Sequence, residues 1–189
     1  MVVCTGSAPS RTGYQRSYPH RAELPGAGQD NVFTAHDVLE GRATAGERVL
    51  LLDDINGWWP ASGTALHLAK LRHQVTIVTA AEKAAAALDL SATGDTTRER
   101  FAKMGIEVLL ATALDSWQGS TAKLVNLYTG DSDERAFDTL VLATTNTPED
   151  KLSRELAGAG IEVKTIGDAV AARSASMAFY EARKLALAL

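Results

Sequence analysis

The feature that most constrains this chain is a strand–helix–strand unit whose connecting turn lacks the glycines such a unit is built to use. Arg48-Val49-Leu50-Leu51-Leu52 carries the continuous apolar run of a buried parallel strand. Thr64 to Leu71 has the pattern of the helix behind it, and Gln74 to Thr79 that of the next strand. This is the β-α-β unit of a dinucleotide-binding domain, where Gly-x-Gly-x-x-Gly lets a pyrophosphate approach the helix N-terminus. Here the turn reads Asp53-Asp54-Ile55-Asn56-Gly57-Trp58-Trp59-Pro60-Ala61-Ser62-Gly63. It holds two carboxylates, which repel a pyrophosphate, and two indoles, which fill the space it needs. The second strand ends Val78-Thr79-Ala80-Ala81, with neither an acid for ribose hydroxyls nor an arginine for a 2′-phosphate. The pattern predicts a nucleotide-binding scaffold whose site is altered or abandoned.

Composition narrows the classes. A chain of 189 residues holds one domain or two small ones, and 46% hydrophobic with 22% charged residues is ordinary for a globular protein. The net charge of −4 gives no general pull toward nucleic acid or anionic lipid. No apolar run approaches the ~20 residues of a membrane span. Met1 is followed by Val2-Val3 rather than a basic segment and a long apolar core, so no signal peptide is expected and a cytoplasmic location is the default. A strand beginning at the first residue usually has chain before it. Cys4 is the only cysteine, which excludes an internal disulfide and a multi-cysteine metal or iron–sulfur site. As part of a strand it is expected to be buried and inert.

The other segments follow from pattern. Residues 8–31, rich in Pro, Gly and Arg, read as irregular surface chain. Val32-Phe33-Thr34 reads as a short strand and Ala35 to Glu40 as a short helix closed by Gly41. Ala84 to Ala87 reads as helix or loop, Asp95 to Met104 as a helix stopped by Gly105, and Ile106 to Ala111 as a third strand. Thr112 to Asp131 alternates as antiparallel strands do. Phe137 to Ala143 is an apolar strand, Lys151 to Ala157 a helix and Ile161 to Ile166 a strand. Gly167-Asp168 turns into a long helix from about Ala172 to the end, on which Met177, Phe179, Tyr180, Leu185, Leu187 and Leu189 spread more widely than one buried stripe requires.

The order of these segments resembles a known arrangement. Thr5-Gly6-Ser7-Ala8-Pro9, Val32-Phe33-Thr34 with Asp37 to Gly41, the strand from Arg48, Phe137 to Thr144, and Ile166-Gly167-Asp168-Ala169 with Arg173 follow one another as in the C-terminal nucleotide-binding region of the flavin oxidoreductases that include trimethylamine dehydrogenase, histamine dehydrogenase and 2,4-dienoyl-CoA reductase. The resemblance runs from about Val2 to Ala186. It implies an α/β fold in which a three-layer Rossmann-like domain of FAD/NAD(P)-binding type, residues 46–145, is inserted in a partial second domain of the same class, residues 1–45 and 146–189. It also implies that the catalytic barrel with FMN and an iron–sulfur cluster, and the first β-α-β of the FAD-type domain, are not part of this sequence.

The resemblance assigns roles residue by residue. Asp168 would accept hydrogen bonds from ribityl or ribose hydroxyls; the bland reading is a helix N-cap, worth about 0.5–2 kcal/mol. Arg173 could face a phosphate, or stand in solvent, or pair with Asp168. Gly6, in Thr5-Gly6-Ser7, and Gly167 complete the candidate cofactor-binding set. Ala143-Thr144-Thr145 has Thr145 where the family uses glycine, which argues for a hinge. Trp58 and Trp59 suit packing on a partner or a missing domain. His20, His36, His67 and His73 lack metal-like spacing, and Ser7, Ser62, Ser174 and Ser176 lack an elbow motif, so no catalytic residue and no metal site is expected. The leading expectation is the nucleotide-binding portion of a flavin-dependent oxidoreductase, an amine dehydrogenase or enoate reductase relative, with no catalytic centre of its own. No cofactor is expected to bind tightly; an adenine nucleotide, ADP or FAD, would bind if a partner chain completes the site. The partner is a second copy or a catalytic flavin and iron–sulfur subunit. The alternative is a non-catalytic Rossmann-like interaction or oligomerisation module. A free-standing NAD(P)-dependent reductase is disfavoured by the altered turn.

Overall fold

The computed structural model describes residues 1–188, so Leu189 lies outside the described residues. The chain forms two compact units: a smaller one from Met1–Pro9 together with the chain from Thr145 onward, and a larger one from Ser10–Thr144. The smaller unit opens with two short strands, β1 (Val2–Val3) and β2 (Ser7–Ala8). The larger unit follows with β3 (Val32–Thr34), α1 (Ala35–Leu39), β4 (Arg48–Asp53), α2 (Trp59–Lys70), β5 (Gln74–Thr79) and α3 (Gly94–Lys103). It continues as β6 (Glu107–Leu109), β7 (Thr112–Gln118), β8 (Thr121–Asn126), β9 (Ser132–Ala136) and β10 (Thr139–Ala143). The chain returns to the smaller unit as β11 (Thr147–Pro148), α4 (Lys151–Leu156), β12 (Lys164–Thr165) and α5 (Ala175–Ala186). Residues 10–45, grouped by the resemblance with the terminal segments, lie in the larger unit, where β3 is hydrogen-bonded to β10.

The larger unit has three layers around a five-stranded parallel sheet in the order β3-β10-β4-β5-β6. The uninterrupted apolar runs of β4 and β10 follow from burial on both faces. Their two-residue period divides them. Val49, Leu51, Val141 and Ile77 meet Ala61, Ala65 and Leu68 of α2 and Phe101 of α3. Leu50, Leu52, Leu140 and Leu142 meet Leu114 and Trp117 of β7 and Ala122 and Leu124 of β8. Strands β7, β8 and β9 form the third layer as an antiparallel sheet. Strand β9 is absent from the sequence reading because Ser-Asp-Glu-Arg-Ala at an exposed sheet edge shows no apolar alternation. Between α1 and β3 a capping box holds the short helix: the Thr34 hydroxyl accepts the Asp37 amide, and the Asp37 carboxylate accepts the Thr34 amide.

Two sequence expectations are corrected here. The turn after β4 does not reach Gly63, because α2 already starts at Trp59 with Pro60 in its first turn, where a missing N–H costs nothing. Residues 10–31 are irregular but not mere surface chain. They form a strap along β7. Gln15 exchanges both of its amide bonds with the Leu114 backbone, at 2.7 and 3.0 Å. Pro25 O accepts the Trp117 amide, Gln29 bonds Trp117 O and the Gly119 amide, and Asn31 accepts the Trp117 indole N–H at 3.1 Å. Leu24 and Ala27 join the core beside the fully buried Trp117. Side chains of Gln and Asn here replace the ladder partners that a strand would supply.

In the smaller unit β1 pairs in parallel with β12, and β2 pairs antiparallel with β11. The strand expected over 161–166 shrinks to β12, and the last helix starts at Ala175 rather than Ala172. Cys4 lies just past β1 and is exposed, contrary to the expectation of burial, because β1 ends at Val3. No helix among the described residues is long and apolar enough to cross a membrane.

The strap yields a paired prediction. At Gly26, with φ +96°, a Cβ would fall 1.8 Å from Trp117 O, whereas at Gly28 it would meet nothing within 4 Å. Gly26→Ala should cost about 2–3 kcal/mol of stability in urea denaturation, and Gly28→Ala no more than about 0.5 kcal/mol. Equal effects would contradict the strap packing.

Candidate functional site

The carboxyl ends of parallel strands are where ligands of this architecture sit, so the turn from β4 into α2 is the first place to look. Asn56 and Gly57 are both left-handed, at φ 56° and 69°, and reverse the chain sharply. Gly57 is the one glycine between β4 and α2, and its missing Cβ is used. A Cβ there would fall 2.4 Å from Ala85 Cα and 2.6 Å from Ala85 N. The Ala87 amide donates to Asn56 O at 2.8 Å, and Ser62 Oγ donates to Gly57 O at 2.6 Å. The segment that presses on the turn is a 3-10 stretch, Ala86–Ser91, flanked by left-handed Ala85 and Ala92. The Arg98 guanidinium ties it down through Ala84 O and Asp89, and Lys83 pairs with Asp89 from the other side. A cavity of about 10 Å³, room for about one water, lies between Asp53, Gly57, Ser62, Thr79 and Ala85.

The two carboxylates of the turn are buried, at 3% and 4% exposure, rather than turned toward a ligand. Asp54 is held from the strap: the Arg16 amide donates to it at 3.0 Å, Arg16 Nε at 3.2 Å, and Arg16 Nη2 bonds the Asp54 carbonyl. Burial pushes the Asp54 carboxyl above its ordinary range, against the pull of Arg16. Burial likewise raises Asp53, opposed by the Gly57 and Ile55 amides and the Thr79 hydroxyl. The indoles of Trp58 and Trp59 are each 42% exposed, so they stand half in solvent and do not fill the turn as expected. Beyond β5 the first acid is Glu82, and it accepts the Tyr128 hydroxyl at 2.8 Å.

The smaller unit holds all four sequence-named residues and bonds three of them, Gly167, Asp168 and Arg173, into one cluster with Ser7 and Glu181. Gly6, at φ +84°, offers its carbonyl to the Glu149 amide at 3.0 Å. Ser7 Oγ donates to Asp168 Oδ2 at 3.2 Å and accepts from Asn146 Nδ2 at 3.2 Å. Asp168 Oδ1 accepts the Arg173 amide at 3.2 Å. Gly167, at φ +66°, donates its amide to Glu181 Oε2 at 2.7 Å, and the Arg173 guanidinium closes on Glu181 Oε1. Those two donors, the Gly167 amide first, hold the Glu181 carboxyl below its ordinary range. Asp168 is therefore no N-cap: Ser174 occupies that position, and Asp168 sits in a single 3-10 turn, Gly167–Ala169. Nor does Arg173 pair with the Asp168 carboxylate through its side chain. Sequence reasoning missed Ser7 as a partner of Asp168, and Asn146 and Glu181 entirely. Three chain segments meet here, and no local pattern announces a contact between them.

His73 Nδ1 lies 2.7 Å from Gly46 O, His67 lies on α2, and no group of three potential metal ligands occurs among the described residues.

Comparisons with known proteins bear on the fold. The profile of the pyridine nucleotide-disulphide oxidoreductase family matches residues 60–174, more than half of the chain. Dimethylamine dehydrogenase of Hyphomicrobium sp. (strain x) is 26% identical over 98% of this chain and 28% of its own. The structure of 6-hydroxypseudooxynicotine amine oxidase from Pseudomonas geniculata N1 superposes with a TM-score of 0.87 at 29% identity, over 97% of this chain and 28% of that one. Histamine dehydrogenase from Rhizobium sp. 4-9 shares the fold, with a TM-score of 0.84 at 22% identity over 98% of this chain and 30% of that one. The chain thus spans less than a third of the length of these relatives.

The buried acids give a pH prediction. A carboxyl raised on folding takes up a proton in the folded state, so its stabilising share is present below the unfolded value of 3.8 and is lost as pH rises through the raised folded value. Asp53→Asn should therefore gain on the parent chain as pH climbs from about 4 to 7 in denaturation curves. A difference that stays flat or reverses would contradict burial as the dominant influence on Asp53.

Proposed function

The chain belongs to the pyridine nucleotide-disulphide oxidoreductase family, and on that premise we propose that it is the nucleotide-binding portion of a flavin-dependent oxidoreductase of the amine dehydrogenase kind, with a closed dinucleotide turn in its larger unit and no catalytic centre of its own. The observation that carries this reading is the approach of Gly57 to Ala85. The glycine that would admit a pyrophosphate admits the chain's own backbone instead. Arg16 supports it, since its guanidinium is engaged by Asp54.

The smaller unit is the part suited to a nucleotide. Asp168 supplies an acceptor for sugar hydroxyls, and Gly6 and Gly167 keep the backbone of two turns free of side chains. Any redox chemistry would come from a bound flavin, which these residues would orient rather than perform. Partner chemistry is indicated by α5, none of whose residues is buried, with Phe179 78% and Tyr180 58% exposed. Parallel pairs such as β1 and β12 are ordinarily covered on both faces. We assign the cover to a second copy or to a catalytic flavin and iron–sulfur subunit. The exposed apolar helix equally favours the second reading, a non-catalytic oligomerisation module.

Two measurements test the reading. The purified chain should be colourless, and NADH should quench Trp58 and Trp59 fluorescence with no saturation below about 1 mM. Stoichiometric flavin after gel filtration, or micromolar saturable quenching, would overturn it. Light scattering at micromolar concentration should report an oligomer, most simply a two-fold dimer. A monodisperse monomer would remove the self-association.

A further inference from the structure

Glu181 stands where a ligand anion would. Its two carboxylate oxygens are divided between the Gly167 amide, at 2.7 Å, and the Arg173 guanidinium. One backbone N–H from a left-handed glycine and one guanidinium, converging on two oxygens of a single anion, is how proteins hold a phosphate. The donors are anchored independently of their occupant. The Arg173 amide is fixed by Asp168, Arg173 Nε donates to Ala171 O, and the Gly167 turn is closed by the Val170 amide. The occupant is tethered only by its place on α5, a helix with no buried residue of its own. Two carboxylates therefore flank Arg173 with different duties. Asp168 also takes the Ser7 hydroxyl and belongs to the turn, whereas Glu181 reaches in from the helix.

We propose that the Gly167 amide and the Arg173 guanidinium form a subsite for a nucleotide phosphate, and that Glu181 fills it as a displaceable internal anion. The proposal rests on the assignment of nucleotide binding to the smaller unit and adds its regulation. Phosphate entry requires the Glu181 carboxylate to leave, so the free chain competes with its own ligand. The competition concerns the phosphate alone, because the acceptor for sugar hydroxyls, Asp168, is not held by Glu181. It also bears on α5, which releases one of its ties to the Gly167 turn whenever the subsite is taken.

The test is calorimetric titration of the full chain with ADP, with adenosine as the phosphate-free control. Glu181→Gln should bind ADP about tenfold more tightly than the parent, since a neutral amide competes less well for the guanidinium than a carboxylate does. The gain should vanish in the Glu181→Gln, Arg173→Ala double variant, and adenosine should show no gain in either. Circular dichroism of each variant, unchanged from the parent, separates a lost subsite from a lost fold. Equal ADP affinity in parent and Glu181→Gln would overturn the occlusion while leaving nucleotide binding by this unit intact. Failure of both folded proteins to bind ADP would overturn the nucleotide assignment together with it. A gain that persists without Arg173 would show that the phosphate sits elsewhere.

Discussion

A parallel strand must bury both faces, and in the larger unit that requirement organises everything around β4, β10 and β5. The alternate residues of one apolar run face opposite layers, so a single stretch such as Val49-Leu50-Leu51-Leu52 commits the chain to helices on one side and a further cover on the other. The second cover is the antiparallel sheet, completed by the strap along β7. Only the strand ends then remain open to a ligand, and at the end of β4 the chain packs on its own turn. Gly57 meets Ala85, and Arg16 takes Asp54.

This packing changes the meaning of the carboxylates. Facing a ligand, Asp53 and Asp54 would repel phosphate. Buried, they are internal carboxyls whose charged form costs desolvation and recovers part of it from amides, the Thr79 hydroxyl and Arg16. The strap therefore has two duties, sealing Trp117 from water and supplying the counter-charge at the turn. The smaller unit is organised differently. Its strands are two residues long, its last helix buries none of its residues, and its order resides in the polar cluster around Asp168 and Glu181.

The sheet was legible in the sequence because hydrophobic runs report burial directly, and α1 because Gly41 marks its end. The strap was not, because it is held by side-chain amides of Gln15, Gln29 and Asn31 bonding to backbone, which leaves no periodicity. Strand β9 was missed because an exposed edge tolerates Ser-Asp-Glu-Arg. Gly6, Gly167, Asp168 and Arg173 were named only through resemblance, and the resemblance carried no sign of Glu181, whose contact depends on a fold between distant segments. The altered turn was recognised for its residues, but the physical agent of closure, the backbone of Ala85, lies in an alanine-rich stretch that looked featureless.

The central claim is that the turn after β4 is closed by the chain itself. Amide hydrogen exchange measures this at two positions, the Ala87 N–H bound to Asn56 O and the Arg16 N–H bound to Asp54. Both should be protected in the free protein, and the protection should be the same in the presence of excess NADH. Rapid exchange at both positions in the free protein, or protection that changes when NADH is added, would show that the turn opens to a dinucleotide and would contradict the account.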